Sequence, residues 1–172
     1  MSEKLVFDHV GFKERMIDLG VATSEEIQGC SDGEIAEMLS TKREVDVPDS
    51  YVKFMSHFGR RAGYLFRGTD FYYPSCLDFN DYAEEFSRDD DPGLVTRDRF
   101  FFSLHQGYEL YFFESGNEDV WSYIEGDGRS NKIAESFPAY LEYSINFPNS
   151  HWNSLREQDR KNRELKKKCP PG

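Results

Sequence analysis

A chain of 172 residues is long enough for one domain with a full hydrophobic core and too short for two ordinary ones. Apolar residues make up only 38% of it, yet 15 Phe and 10 Tyr bury a large area each, so the core is expected to be aromatic. The net charge of −11 divides into +4 between Arg156 and Lys168 and −15 for the remainder; such an acidic body repels nucleic-acid phosphates and anionic lipid and favours a basic protein partner.

The first segment puts Leu5, Phe12, Met16 and Leu19 on one stripe, with Val6, Val10 and Ile17 beside it, and predicts a core-facing helix ending at Gly20. Ser31-Asp32-Gly33-Glu34 is a capping-box pattern ahead of Ile35, Met38 and Leu39, which marks a second, short helix. A third starts at Pro48 and carries Tyr51, Phe54, Met55 and Phe58 at helical spacing until Gly59. Residues 64–66 and 71–73, around Arg67-Gly68-Thr69-Asp70, read as two short strands joined by a turn. Phe79, Tyr82, Ala83 and Phe86 return to helical spacing, and Arg88-Asp89-Asp90-Asp91-Pro92-Gly93 then breaks it as an acidic, mobile loop.

Three strands are expected next, over 100–104, 108–113 and 120–124, separated by turn residues and forming an antiparallel meander that stops at Gly126-Asp127-Gly128. A last helix begins near Ser136, with Pro138 in its first turn and Phe137, Tyr140, Leu141 and Ser144 on one face. Beyond Pro148 the composition predicts a polar, then basic appendage unable to order itself. The fold class is therefore α+β, an antiparallel sheet packed with flanking helices, with a domain over 1–148 and a tail over 149–172.

Candidate chemistry is sparse. His9, His57, His105 and His151 fall in four different elements with no nucleophile or carboxylate at motif spacing, and no cofactor-binding signature is present. Cys30, Cys76 and Cys169 are odd in number and scattered, which argues against a disulfide framework and a zinc site. Asp89 to Asp91 lack the alternating spacing of a calcium loop. The prolines of Cys169-Pro170-Pro171-Gly172 replace the aliphatic residues that a prenylation signal needs. With neither an export signal behind Met1-Ser2-Glu3-Lys4 nor an apolar run of membrane-spanning length, the chain is expected to be cytoplasmic. A binding protein is expected, not an enzyme.

Alternation in the meander sends Val120, Ser122 and Ile124 to one face and Trp121, Tyr123 and Glu125 to the other, while Tyr111 and Phe113 oppose Leu110 and Phe112. One face must pack on helices. The other is either covered as well or partly open as an aromatic groove edged by Glu114, Glu118, Asp119, Glu125 and Asp127, with Trp121 and Tyr123 as candidate anchors.

The run from Val47 to Met55, the aromatic Tyr111-Phe112-Phe113 with Asp119-Val120-Trp121 beyond the turn, and Ser136 to Leu141 together resemble the SUKH superfamily over about residues 30 to 145. That group joins a yeast cell-wall-synthesis regulator to many bacterial immunity proteins. The resemblance implies a protein that binds and neutralises a cognate toxin domain, often a nuclease, by stoichiometric occlusion. The alternative it implies is a regulatory scaffold of the cell-wall regulator type.

Overall fold

Aromatic side chains at helical spacing build the first layer of the protein. In the computed structural model, which describes residues 6–168, α1 (His9–Leu19) starts where the Asp8 carboxylate accepts from the Gly11 amide at 3.0 Å, and it closes at Gly20, whose φ of 80° is left-handed. Phe12 and Met16 are fully buried, but Val6, Val10 and Ile17 face outward, so the apolar stripe is narrower than the sequence predicts. Leu5 lies outside the described residues, as do Met1 to Lys4 and the Cys169 to Gly172 segment.

The capping box of α2 (Asp32–Ser40) forms as expected: Glu34 accepts from the Ser31 amide at 2.9 Å and donates its own amide to the Ser31 hydroxyl at 3.3 Å. In α3 (Asp49–Phe58), Pro48 occupies the cap position, and Tyr51, Phe54, Met55 and Phe58 are all buried. Before them, β1 (Ile27–Gln28) pairs antiparallel with β2 (Arg61–Ala62), and this brings Gly29 against α3. A methyl group on Gly29 would sit 1.9 Å from the Ser56 carbonyl oxygen, so only glycine permits this approach.

The main sheet has the order β3–β4–β5–β6–β7 and is antiparallel throughout. Its centre is the expected meander: β4 (Arg99–His105), β5 (Glu109–Glu114) and β6 (Val120–Ile124). The sheet does not stop at Gly128, because β7 (Ser130–Ala134) adds an outer strand. Apart from the half-buried Ala134, its residues are polar or exposed, so no apolar alternation announces it. The hairpin expected over 64–73 is absent. Gly63, Phe66 and Gly68 all take left-handed φ values near 60–80°, which coils the chain into turns, and only β3 (Thr69–Asp70) joins the sheet. Phe66 is held there by its ring, stacked at 4.3 Å on Phe71.

Both faces of the sheet are covered. On one, Tyr51 of α3 lies 5.3–6.2 Å from the rings of Phe71, Phe100, Phe102, Phe113 and Phe137, the last belonging to α5 (Phe137–Ile145). Ring pairs of this kind add about 0.5–1.5 kcal/mol each beyond their area. On the other face α4 (Phe79–Asp89) covers Phe101 and Phe112. Its buried Asn80 accepts from the Phe101 amide at 2.8 Å, beside the register shift between Phe101 and Ser103, and donates to Thr41 at 3.0 Å. The aromatic-groove alternative therefore reduces to Trp121, which stays half-buried.

The segment beyond Pro148 is not an unordered appendage. It forms the 20-residue helix α6 (Asn149–Lys168), docked by one buried side chain, Trp152, and by charged groups that composition alone reads as solvated. Arg156 donates to the Glu26 carboxylate at 2.8 and 3.0 Å and to the Gly20 carbonyl at 3.1 Å. Asp159 accepts from Arg67 at 2.7 and 3.0 Å and from the Tyr64 hydroxyl at 2.8 Å. Among the described residues no helix is long and apolar enough to cross a membrane.

Candidate functional site

The side chains expected to form one rim around β6 are divided between its two ends. Glu114, Glu118 and Asp119 cluster where β5 turns into β6; Glu125 and Asp127 lie beyond its far end. A five-residue strand separates the groups by roughly 16 Å. They are two surfaces.

The first end is largely neutralised from within. Asp119 pairs with Lys132 at 3.0 Å, and Lys132 also meets Glu135 at 2.8 Å. Glu114 lies 3.4 Å from Arg99, whose guanidinium sits 4.3 Å above the Phe112 ring and donates to the Val95 carbonyl at 2.9 Å. Burial holds the Arg99 pKa below its ordinary value despite that carboxylate. Glu118 accepts from the Ser50 hydroxyl at 3.0 Å, tying the turn to the first turn of α3. Trp121 lies cross-strand from Phe112 and Lys132. Its indole nitrogen is buried and meets no acceptor among the described residues.

The far end is different in charge. Tyr123, one of the two candidate anchors, is buried, and its hydroxyl donates to Asp91 at 2.8 Å. The same carboxylate accepts from the Gly126 amide at 2.9 Å and, through its other oxygen, from the Gly93 amide at 3.1 Å. These bonds, the Gly126 amide first, hold its pKa below the usual carboxylate value. They also fasten the acidic loop after α4, which sequence reasoning treats as separate and mobile, to the β6–β7 turn. Asp90, Glu125 and Asp127 thereby share one end of the molecule; the charges of Glu125 and Asp90 both reach the Tyr82 phenol, whose pKa is raised by burial first and by these carboxylates second. All three are exposed and pair with no cation among the described residues, and Arg129 in the same turn forms no ion pair.

A second feature was invisible in the sequence. Two adjoining grooves of about 540 and 490 Å³ share Tyr64, Phe66, Arg67 and Gly68 and lie against α6. The Tyr64 ring has the Arg67 guanidinium 5.2 Å from its centre and that of Arg156 at 4.8 Å. Arg156 and Asp159 stand three residues apart, which is a helical pairing signal, but their partners are about 90 to 130 residues away and no local pattern reveals them.

The remaining reactive groups lie against neighbouring side chains. Cys30 and Cys76 are buried thiols whose pKa values burial pushes up to about 11 and about 12, so they stay protonated at neutral pH. His9 and His57 stack with ring centres 3.8 Å apart, and His105 shares a 2.8 Å hydrogen bond with Thr69. No group of three or more His, Cys, Asp or Glu side chains among the described residues is arranged to hold a metal ion.

The helix-first order, the central meander and α5 together coincide with a known family. The description of the SMI1 / KNR4 family (SUKH-1) matches residues 29–143, more than half of the chain, running from the approach of Gly29 on α3 to Tyr143 in α5. No curated protein matches the chain. Helices α1 and α6 lie outside the matched span and contact each other: Asn149 donates to the Asp18 carbonyl at 3.2 Å and Arg156 to that of Gly20. The matched span, carrying the expected aromatic core, shows that the chain belongs to the SMI1 / KNR4 family (SUKH-1).

Proposed function

We propose that this chain is an immunity-type binding protein that neutralises a basic, nuclease-like toxin domain by stoichiometric occlusion. Membership of the family supports an immunity or regulatory role exercised through contact with another protein. The observation that carries the choice of a cationic partner is the acidic end, where Asp90, Glu125 and Asp127 are exposed with no pairing cation among the described residues and Asp91 holds their two loops together. Such a surface attracts a cationic domain from about a Debye length, roughly 10 Å at 0.1 M salt, and orients it before contact. Occlusion requires that the bound body cover the partner's reactive surface; no group of this chain has to react. Trp121, with Glu114, Glu118 and Asp119 around it, is the second contact surface in this reading.

A regulatory scaffold of the cell-wall regulator type is the other reading the family supports, and the partner's behaviour separates the two. The test is to capture the partner from source-cell extract, identify it, and follow its association rate and its activity in the complex. A basic partner whose activity is lost on binding is expected. Replacing Asp90→Asn, Glu125→Gln and Asp127→Asn together should slow association at low salt by about tenfold or more. An acidic partner, or an association rate flat between low and physiological salt, would remove the basis for the acidic end as the steering surface.

A further inference from the structure

Contacts between α6 and the body end at Asp159, yet the helix continues to Lys168, roughly 13 Å further. Every residue from Arg160 to Lys168 is exposed. Glu157 with Arg160 at 2.7 Å and Arg160 with Glu164 at 2.8 Å keep these turns helical without tertiary support. Arg163 donates only to the Asp159 carbonyl of its own helix, at 3.4 Å, and Lys166, Lys167 and Lys168 have no carboxylate pairing with them among the described residues. Lysines in a last turn complement the helix dipole, but that stabilises any helix end and gives no reason to extend one past its last tertiary contact.

We propose that residues 160–168 are an intermolecular arm, and that its occupant is the acidic end of a second copy of this chain. The charges are complementary within one sequence: residues 160–168 carry +5 and the remainder −16, and that remainder includes Asp90, Glu125 and Asp127, which pair with no cation among the described residues. That acidic remainder opposes approach to nucleic-acid or lipid phosphates, which are the other polyanions such an arm would meet. Leu165, 62% exposed among the cations, adds a small apolar contact. The contact joins two different patches, so it closes only if two copies exchange arms and otherwise grows head to tail. The inference shares the acidic end with the proposed function but does not depend on any toxin.

The experiment uses the full chain alone, without a partner. Its mass in solution is followed against protein concentration at low and at high salt. The expected result is a mass above that of the monomer at low salt that returns to the monomer at high salt. Two full-chain variants, Lys166→Glu/Lys167→Glu/Lys168→Glu and Asp90→Lys/Glu125→Lys/Asp127→Lys, should each stay monomeric, and an equimolar mixture of the two should associate again. A wild-type chain that remains monomeric at every concentration at low salt overturns the proposal. So do variants that associate as the parent does, a mixture that fails to recover association, or a monomeric chain that binds a phosphate polyanion through its arm.

Discussion

The Tyr123 hydroxyl donates to Asp91 across 32 residues of sequence at 2.8 Å, and the same carboxylate caps the Gly126 amide. One side chain thus fixes the acidic loop and the β6–β7 turn together. Asp91→Ala should raise amide hydrogen exchange at Gly126 and Gly93 while leaving the strands protected. Tyr123→Phe should lower the melting midpoint by a few degrees, since it removes the hydroxyl that donates to Asp91. Unchanged exchange at Gly126 in the Asp91 variant would show that the turn holds itself.

Because those bonds keep the Asp91 pKa low, its contribution to stability is present above the unfolded value of about 3.9 and is lost as pH falls through it toward the folded value. The acidic end should therefore loosen below about pH 4, seen as accelerated exchange at Gly126 that the Asp91→Asn variant no longer makes pH-dependent.

Helix α6 separates into an anchor and a projection, and two truncations distinguish them. Removing residues 161–172 deletes no contact to the body among the described residues and should leave the folding midpoint unchanged. Removing residues 149–172 deletes Trp152 and the Arg156 and Asp159 bonds, and should lower it by many degrees, in line with the roughly 3–5 kcal/mol lost when a buried Trp is truncated. Equal midpoints for the two truncations would mean that the anchor contributes nothing.

The stacked pair His9 and His57 predicts a pH dependence near neutrality. Burial first, then the charges of His9, Lys53 and Lys13, lowers the His57 pKa below its ordinary value of 6.5. The unfolded chain therefore binds more protons in this range, so the contribution is complete above about pH 6.5 and is lost as pH falls through that value. Denaturation midpoints measured between about pH 7.5 and 5 should decline, and His57→Gln should flatten the decline.

Charge replacements at the two ends of β6 should behave differently. Asp119→Asn breaks the contact with Lys132 and Glu118→Gln weakens the tie to Ser50, so both should reduce stability measurably. Glu125→Gln with Asp127→Asn should leave it within experimental error, because both side chains are exposed and form no hydrogen bond or ion pair among the described residues. A comparable loss at both ends would contradict the division of the surface.

What could be read from the sequence was what local periodicity encodes. Tyr51, Phe54, Met55 and Phe58 define α3 by spacing alone, Ser31 and Glu34 announce α2, and the aromatic runs of β4, β5 and β6 specify the meander. The errors fall where tertiary partners decide. Residues 64–73 have strand-like composition, but the left-handed turns at Gly63, Phe66 and Gly68 follow from packing on α3 and α5. Strand β7 exists because β6 offers it a ladder, and α6 docks through one tryptophan and ion pairs whose partners are far away in the chain. The acidic residues around β6 stand out in the sequence by charge alone; their division into a self-neutralised end and one without cations among the described residues depends on Lys132 and Arg99, which only the folded sheet brings to Asp119 and Glu114.

The two outer strands of the main sheet also decide how another protein can meet it. One is β3, only Thr69 and Asp70, preceded by a left-handed glycine; the other is β7, which pairs through a register shift at Val120 and carries Lys132 at its middle. Short, irregular and charged borders of this kind resist the addition of a further strand. Backbone-to-backbone extension of the sheet is thereby closed to a visitor, and to a neighbouring copy as well. Recognition by this molecule must run through side chains on its turns and helix faces, where a single substitution changes specificity without disturbing the sheet.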